Sequence, residues 1–410
     1  MLEAKALVYA IVVALLIAIM SSLLVSLSYM QRLQQIDQFD QERQMRNVQS
    51  GIALLMDGEN DYASPALIDL FGKGEDWLLL GKKDWGLFSA AYVRAVLQNQ
   101  YGNDTLSKMM LLGQTNQHFP EEALYLVDLN KPLGLAGNTQ IKGKAFLPKA
   151  GVKRASVGGQ GYLGSQLIYG VQQKSRSQLP VLKKEKINFL LQQLQGLETH
   201  TMLPEVLDHP FWEEPLLFQS GNLYLDQHRL KGNLIVYSTD TLYVGASAQL
   251  EDLLLCAPTI IIQSGFSGSL QAFAFDHLHV EANCQLTYPS VAGTLRQSEA
   301  QITRLTIGEQ SRVEGMVFSY EAKYFRQGAK IQIQQGAKIT GQVYASGVLE
   351  LAGTVYGNVS CKQFFLRAGG GTYDNHLLNA VIDRSRLPKH FVGPQSTKQG
   401  KTQEIAKWIE

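Results

Sequence analysis

The chain is short of cysteine, and what it has is spread out: Cys256, Cys284 and Cys361 include no CxxC pair. That excludes the usual spacing of a structural zinc site or a thioredoxin-like redox centre, and three small buried hydrophobes are the expectation. A Cys256–Cys284 disulfide stays open as an alternative if the region lies outside the cytoplasm. An excess of either charge is also missing. Lys plus Arg number 37 against 36 for Asp plus Glu, so no basic field argues for nucleic acid as a partner. Proline is sparse at 12, while Gly reaches 37, which excludes collagen-like and disordered compositions. Glycine mixed with β-branched residues points to short strands and tight turns.

One segment lacks charge altogether. From Ala6 to Met30 no Asp, Glu, Lys, Arg or His interrupts the run, with Lys5 before it and Arg32 after it. As a helix, residues 6–30 span about 38 Å, more than the roughly 30 Å of a bilayer's hydrocarbon core. The stretch is too long for the core of a cleaved signal peptide. A retained single-pass anchor in contact with membrane lipid is expected. Arg32, Arg43 and Arg46 on its far side outnumber Lys5 on the near side, a small bias toward a cytoplasmic main domain. Beyond it Leu33, Ile36, Phe39, Met45, Val48, Ile52 and Leu55 recur at intervals of three to six, predicting an amphipathic continuation to about Met56.

The most informative pattern is self-similarity. At an offset of about 18 residues, Leu242 falls on Ile260 and Leu278, Val244 on Ile262 and Val280, and Leu255 on Phe273 and Val291. The columns return with Leu305 and Ile307, then Ile331 and Ile333, then Leu349 and Leu351, and an isolated copy sits at Leu133, Leu135 and Ile141. Gly143, Gly315 and Gly341 share one column, as at a corner needing positive φ. Short strands of this kind bury their inward face only by stacking on equivalent strands. The predicted fold is mainly β: a single-stranded β-helix of about 18 residues per turn, behind an N-terminal transmembrane helix and a small α/β module.

The expected organisation is a helix over 1–56, an α/β module over 57–130, first β-helix-like turns over 131–172, and a helical insertion over 173–215. The main β-helix follows over 216–368, then a cap and polar tail over 369–410. In the module, Gly81-Lys82-Lys83-Asp84 suits a hairpin loop. In the insertion, Ile187, Leu190, Leu191, Leu194 and Leu197 have helical spacing, and Lys183 to Lys186 reads as a solvated first turn. A short helix is expected over 402–409.

Two resemblances attach to these residues. The run from Lys5-Ala6-Leu7-Val8 to Ser50-Gly51-Ile52-Ala53-Leu54-Leu55 resembles the long N-terminal helix of type IV pilins and pseudopilins, closest in character to the minor pilins. It departs from them in having no Gly before a prepilin cleavage point and no Glu at the fifth position of a mature chain. The segment from Ile331-Gln332-Ile333 through Gly341 to Leu349-Glu350-Leu351 is similar to bactofilins, polymer-forming proteins with a β-helix core. The first resemblance implies an extracytoplasmic domain on the bacterial inner membrane; the second implies a scaffold.

Signs of chemistry are few. Gly159-Gln160-Gly161-Tyr162-Leu163-Gly164 matches G-x-G-x-x-G but lacks the βαβ context of a dinucleotide site, so no cofactor is expected. His277 and His279 flank Leu278 and read as two surface histidines. Asp276, Glu281, Glu309, Glu314 and Glu350 fall in different columns, not on one face as a glycan-cleaving enzyme requires. The expectation is a non-enzymatic, membrane-anchored envelope scaffold or assembly component with protein partners or self-association. The alternatives are a tethered bactofilin-like polymer and a β-helix that binds or cleaves cell-wall glycan.

Overall fold

A computed structural model describes residues 2–57, 62–99, 102–115, 122–299, 303–323, 325, 328–394 and 403–409. The protein is mainly β, with one long N-terminal helix, and its contacts divide it into two units. The first unit holds residues 1–55, 64–81 and 92–108; the second holds 56–63, 82–91 and 109–410.

In the first unit, α1 (Leu2–Asp57) runs unbroken. No proline or early glycine interrupts it, and the side chains from Leu7 to Met30 are exposed. Its last third is different. Val48 and Leu55 are buried, and Gly51 leaves no room for a Cβ, which would come within 2.6 Å of Val93 and 3.0 Å of Leu80. Arg43 hydrogen-bonds and ion-pairs with the buried Asp76 carboxylate, and Asn47 donates to it at 2.7 Å. Hydrophobic fit and one satisfied buried carboxylate thus hold the helix to its sheet. Strand Ala66–Asp69 pairs antiparallel with Trp77 to Leu80 there. Among the described residues between Asp57 and Lys184 there is no helix, so the expected α/β module is instead strands.

The second unit contains the turn of that region. Strand Asp76–Trp85 continues straight through Gly81 to Asp84, and the turn falls at Gly86-Leu87, before strand Phe88–Asn99. The reason is conformational: Gly86 holds φ +57, and the Gln271 amide fills the place of its missing Cβ while accepting from the Leu87 N–H at 2.9 Å.

Parallel strands dominate the second unit and form one hydrogen-bonded set that closes on itself. Leu242 pairs with Ile260, Ile260 with Leu278, Leu278 with Leu305, Leu305 with Ile331 and Ile331 with Leu349. Val244, Ile262, Val280, Ile307, Ile333 and Leu351 pair likewise two residues on. All of these side chains are buried in one continuous core. At about 1.5–3 kcal/mol each, such columns are a main source of stability. The Leu255 column does not run as expected: Cys256, not Leu255, pairs with Phe273, and Gln271 pairs with Val291. A bulge at Asp252, which has φ +58, slips the register by one.

Gly315 pairs with Gly341 and Gly341 with Gly357, at φ +144, +137 and +150. Gly143, at φ +124, packs beside Ala123 and Arg384 instead of pairing with that glycine stack.

The domain order differs from the expected one. Strand Glu122–Leu126 pairs with strand Thr354–Ala368, Ile141 pairs with Ile382, and Leu135 pairs with Leu377. The early copy around 131–147 therefore pairs with the C-terminal part of the repeat, and 376–383 joins the parallel pairing instead of forming a cap. Residues 199–200 and 206–209 also pair into the parallel set, so the helical insertion shrinks to α2 (Lys184–Gly196) and its flanks. Residues 403–409 form a strand that pairs antiparallel with Met109 to Gln114, replacing the expected helix; residues 395–402 of the expected tail lie outside the described residues.

Candidate functional site

A cleft lies in the second unit, on the outer face of four parallel strands. Val206–His209, Arg229–Gly232, and the starts of Gln249–Ile262 and Ser267–Val280 form its floor. Strand alternation turns Leu230 and Leu250 into the core and leaves their neighbours outside. Two rows result. One runs Val206, Arg229, Gln249, Ser267, all exposed; the other runs Asp208, Lys231, Glu251, Ser269, joined by direct pairing. Thr287, Tyr288 and Lys407 complete the lining of a space of about 550 Å³.

Lys407 organises one wall. Its Nζ donates to Glu251 Oε1 and to Asp252 Oδ2, both at 2.8 Å, and Lys231 lies 3.8 Å from the other Glu251 oxygen. The Lys407 hydrogen bond pulls the Glu251 carboxyl below its usual range against a smaller opposing effect of burial. Burial pushes the Asp252 carboxyl up, more than Lys407 pulls it down. Burial would also lower the Lys407 ammonium, but the two carboxylates outweigh it and raise it. Asp252 is nearly fully buried, sits at the positive-φ bulge, and exchanges hydrogen bonds with Ser269. Its adjacent oxygens are thus fixed by partners from two different strands. By contrast, among the described residues Asp208, Arg229 and Gln249 make no side-chain hydrogen bond or ion pair.

A second polar cluster is buried under α2. Lys186 Nζ donates to Asp84 Oδ1 at 2.6 Å, to the Phe88 carbonyl at 2.9 Å and to Ser89 Oγ at 2.7 Å. Burial pushes its ammonium down to about 8, with Asp84 opposing. This corrects the solvated-turn expectation: Lys183 to Lys186 is the first turn of the helix, but Lys186 points inward because Ile187 and Leu190 share that face. All three of its donors are used, and Ser89 is buried, so the cluster fastens α2 rather than meeting a substrate.

The residues singled out from sequence fall elsewhere. The columns from Leu242 to Leu351 are core; Gly143, Gly315 and Gly341 all hold positive φ, Gly315 and Gly341 within strands that continue past them. The G-x-G-x-x-G segment forms a small hairpin, Ser156–Val157 with Gln160–Gly161, and no helix starts from it. His277 and His279 are exposed on either side of buried Leu278, and no group of metal-binding side chains occurs among the described residues. Of the scattered acids, Glu350 pairs with Lys330 at 2.5 Å and Glu281 accepts from the Ser264 N–H; none lines the cleft. Cys256, Cys284 and Cys361 are free and buried.

The sequence does carry a faint signal for the cleft: polar residues spaced two apart beside each inward column. Nothing local points to Lys407, which comes from the far end of the chain. No family model matches the chain, and no curated protein or solved structure gives a significant match.

Proposed function

We propose that this protein is a non-enzymatic, membrane-anchored scaffold or assembly component of the bacterial envelope. The observation that carries the reading is the contrast along α1. Leu7 to Met30 present an apolar surface with no protein cover, whereas Val48 and Leu55 are packed in protein. An uncovered apolar length of this size is stable in lipid and costly in water. A long helix whose second part packs on an antiparallel sheet also supports the minor-pilin-like reading, and with it an inner-membrane anchor and an extracytoplasmic main domain.

The finer reading of the second unit is a single-stranded β-helix. Parallel register at matched apolar columns supports it. Such a stack offers a stiff lateral face for partners. Its parallel, column-matched layers equally support the second reading, a membrane-tethered bactofilin-like polymer.

The test is topology. Met202 is 86% exposed in the second unit. With the native cysteines buried, Met202→Cys gives a single accessible thiol for a membrane-impermeant reagent on intact spheroplasts. Labelling without lysis, with the chain retained in the membrane after alkaline extraction, is the expected result. Labelling only after lysis overturns the extracytoplasmic assignment and favours the tethered polymer. Release by alkali overturns the anchor.

A further inference from the structure

We propose that copies of this chain join head to tail, the strand edge of residues 199–200, 206–209 and 223–225 on one copy seated against the strand edge of residues 152–154 and 172–174 on the next. The proposal rests on the scaffold reading, for which it names a partner and the two surfaces that meet. It does not depend on which side of the membrane the domain lies.

The first support is unpaired backbone. Among the described residues, Thr199–His200, Val206–His209 and Leu223–Leu225 each have a partner strand on one side only. The same holds for Val152–Arg154, paired with Leu133–Ala136, and for Gln172–Lys174, paired with Lys144–Leu147. The two edges lie at opposite ends of one line of pairing. From His200 the partners run through Phe218 and Val236 to Leu124, Ala145 and Gln172, and every step is parallel. The edge strands at the two ends therefore point the same way, and the ladder of one copy continues into the next by translation. An exposed, unblocked edge is a template for a further strand.

The second support is apolar surface at both edges. Val206 and Tyr224 on the first are 68% and 63% exposed. The Tyr224 ring stacks on Tyr243 with 4.6 Å between centroids, and no further strand pairs with Leu223–Leu225 to cover its other face. Val171, directly before Gln172, is 63% exposed, and Leu163, between the two strands of the second edge, is 78% exposed. Apolar groups left bare in this way mark a contact surface.

The third support is charge, and it selects the occupant. Residues 131–184 hold ten Lys and Arg and no Asp or Glu, whereas residues 198–214 hold five Asp and Glu and no Lys or Arg. The charges beside the edges are exposed and uncommitted. Lys153, Lys174 and Arg176 on the basic edge, and Glu198, Glu205 and Asp208 on the acidic edge, make no side-chain hydrogen bond or ion pair among the described residues. The acidic edge of one copy attracts the basic edge of another, while two like edges repel. The contact is heterologous, so copies add in line.

The experiment mixes single-cysteine variants of the full chain in detergent, where the native cysteines are buried. Continuing the ladder sets Gln172 of one copy opposite His200 of the next at about 4.8 Å, within reach of a disulfide. Gln172→Cys mixed with His200→Cys is expected to cross-link at least tenfold faster under mild oxidation than either variant alone. Light scattering of the wild type is expected to show masses above the monomer that rise with concentration and fall with added salt. Lys153→Glu with Lys174→Glu, and Glu205→Lys with Asp208→Lys, are exposed changes, each checked for an unchanged circular dichroism spectrum. Each pair is expected to weaken self-association at least tenfold, and mixing the two variants is expected to restore it. A wild type that stays monomeric at every concentration, cross-linking as fast within one variant as between the two, or association untouched by the charge reversals overturns the proposal. Capture of polyglutamate by a chain that stays monomeric assigns the basic edge to another partner and also overturns it. Membrane retention is read separately, so a monomeric but retained chain removes the head-to-tail contact and leaves the anchor reading standing.

Discussion

Replacing Gly341 by alanine tests whether the parallel strand set depends on its positive-φ glycines. Gly341 holds φ +137, a region costing a non-glycine residue about 1–3 kcal/mol. A Cβ built there lies 2.0 Å from the Gly315 carbonyl oxygen and 2.7 Å from Phe391. The phenylalanine ring can yield; the carbonyl cannot, because Gly315 and Gly341 are paired in register between neighbouring strands. Moving the strands apart weakens at least one ladder hydrogen bond, about 1 kcal/mol. Together these give a destabilisation of about 2–4 kcal/mol. The control is Gly161→Ala, where no atom lies within 4 Å of the new Cβ and φ is not positive, so a change within about 0.5 kcal/mol is expected. Thermal unfolding of the full chain in detergent, followed by near-ultraviolet circular dichroism, reads both. A fall of about 3–6 °C is expected for Gly341→Ala and almost none for Gly161→Ala. Equal melting temperatures for the two variants would refute the positive-φ argument.

Three further outcomes follow from the same contacts. Lys407→Ala leaves Asp252 charged, buried and without its counter-ion, and is expected to cost about 2–3 kcal/mol; adding Asp252→Asn restores most of it, and a double-mutant cycle in chemical denaturation checks the coupling. Lys186 has a folded pKa of about 8 against 10.5 when unfolded. The unfolded chain therefore binds more protons between those values, so stability is flat below pH 8 and rises by up to about 3 kcal/mol toward pH 10.5. Lys186→Met should abolish that rise in melts taken across the window; an identical pH profile in the variant counts against the burial argument. Ile331→Ala removes a fully buried column side chain between Leu305 and Leu349, and a loss of about 3–4 kcal/mol is expected in the same melts, whereas a loss below 1 kcal/mol would mean the column is not close-packed.

The long apolar helix and the apolar columns were legible because each is a local regularity of side-chain type: an uncharged run long enough to span lipid, and alternation repeated at a fixed offset. Leu242, Ile260 and Leu278 can be matched by counting alone, and strand pairing follows from burying them. Counting failed where one residue changes the register without changing the pattern. Asp252 adds a bulge, so Leu255 and Phe273 look equivalent but do not pair. It failed again at Lys186, whose type predicts solvent but whose place beside Ile187 puts it inside.

What the amino-acid order determined by itself was therefore which side chains must be hidden from water and in what rhythm. Which strand pairs with which was decided only by tertiary structure. Apolar columns of Leu, Ile and Val are nearly interchangeable, so nothing local tells Ile141 to seek Ile382 rather than a nearer strand. The cleft has the same origin: its floor comes from strands within one stretch of chain, residues 206–280, but Lys407 reaches Glu251 and Asp252 from a strand fixed by pairing with Met109 to Gln114. A contact between residues so far apart in the chain depends on the whole fold, and leaves no trace in the periodicity of either segment.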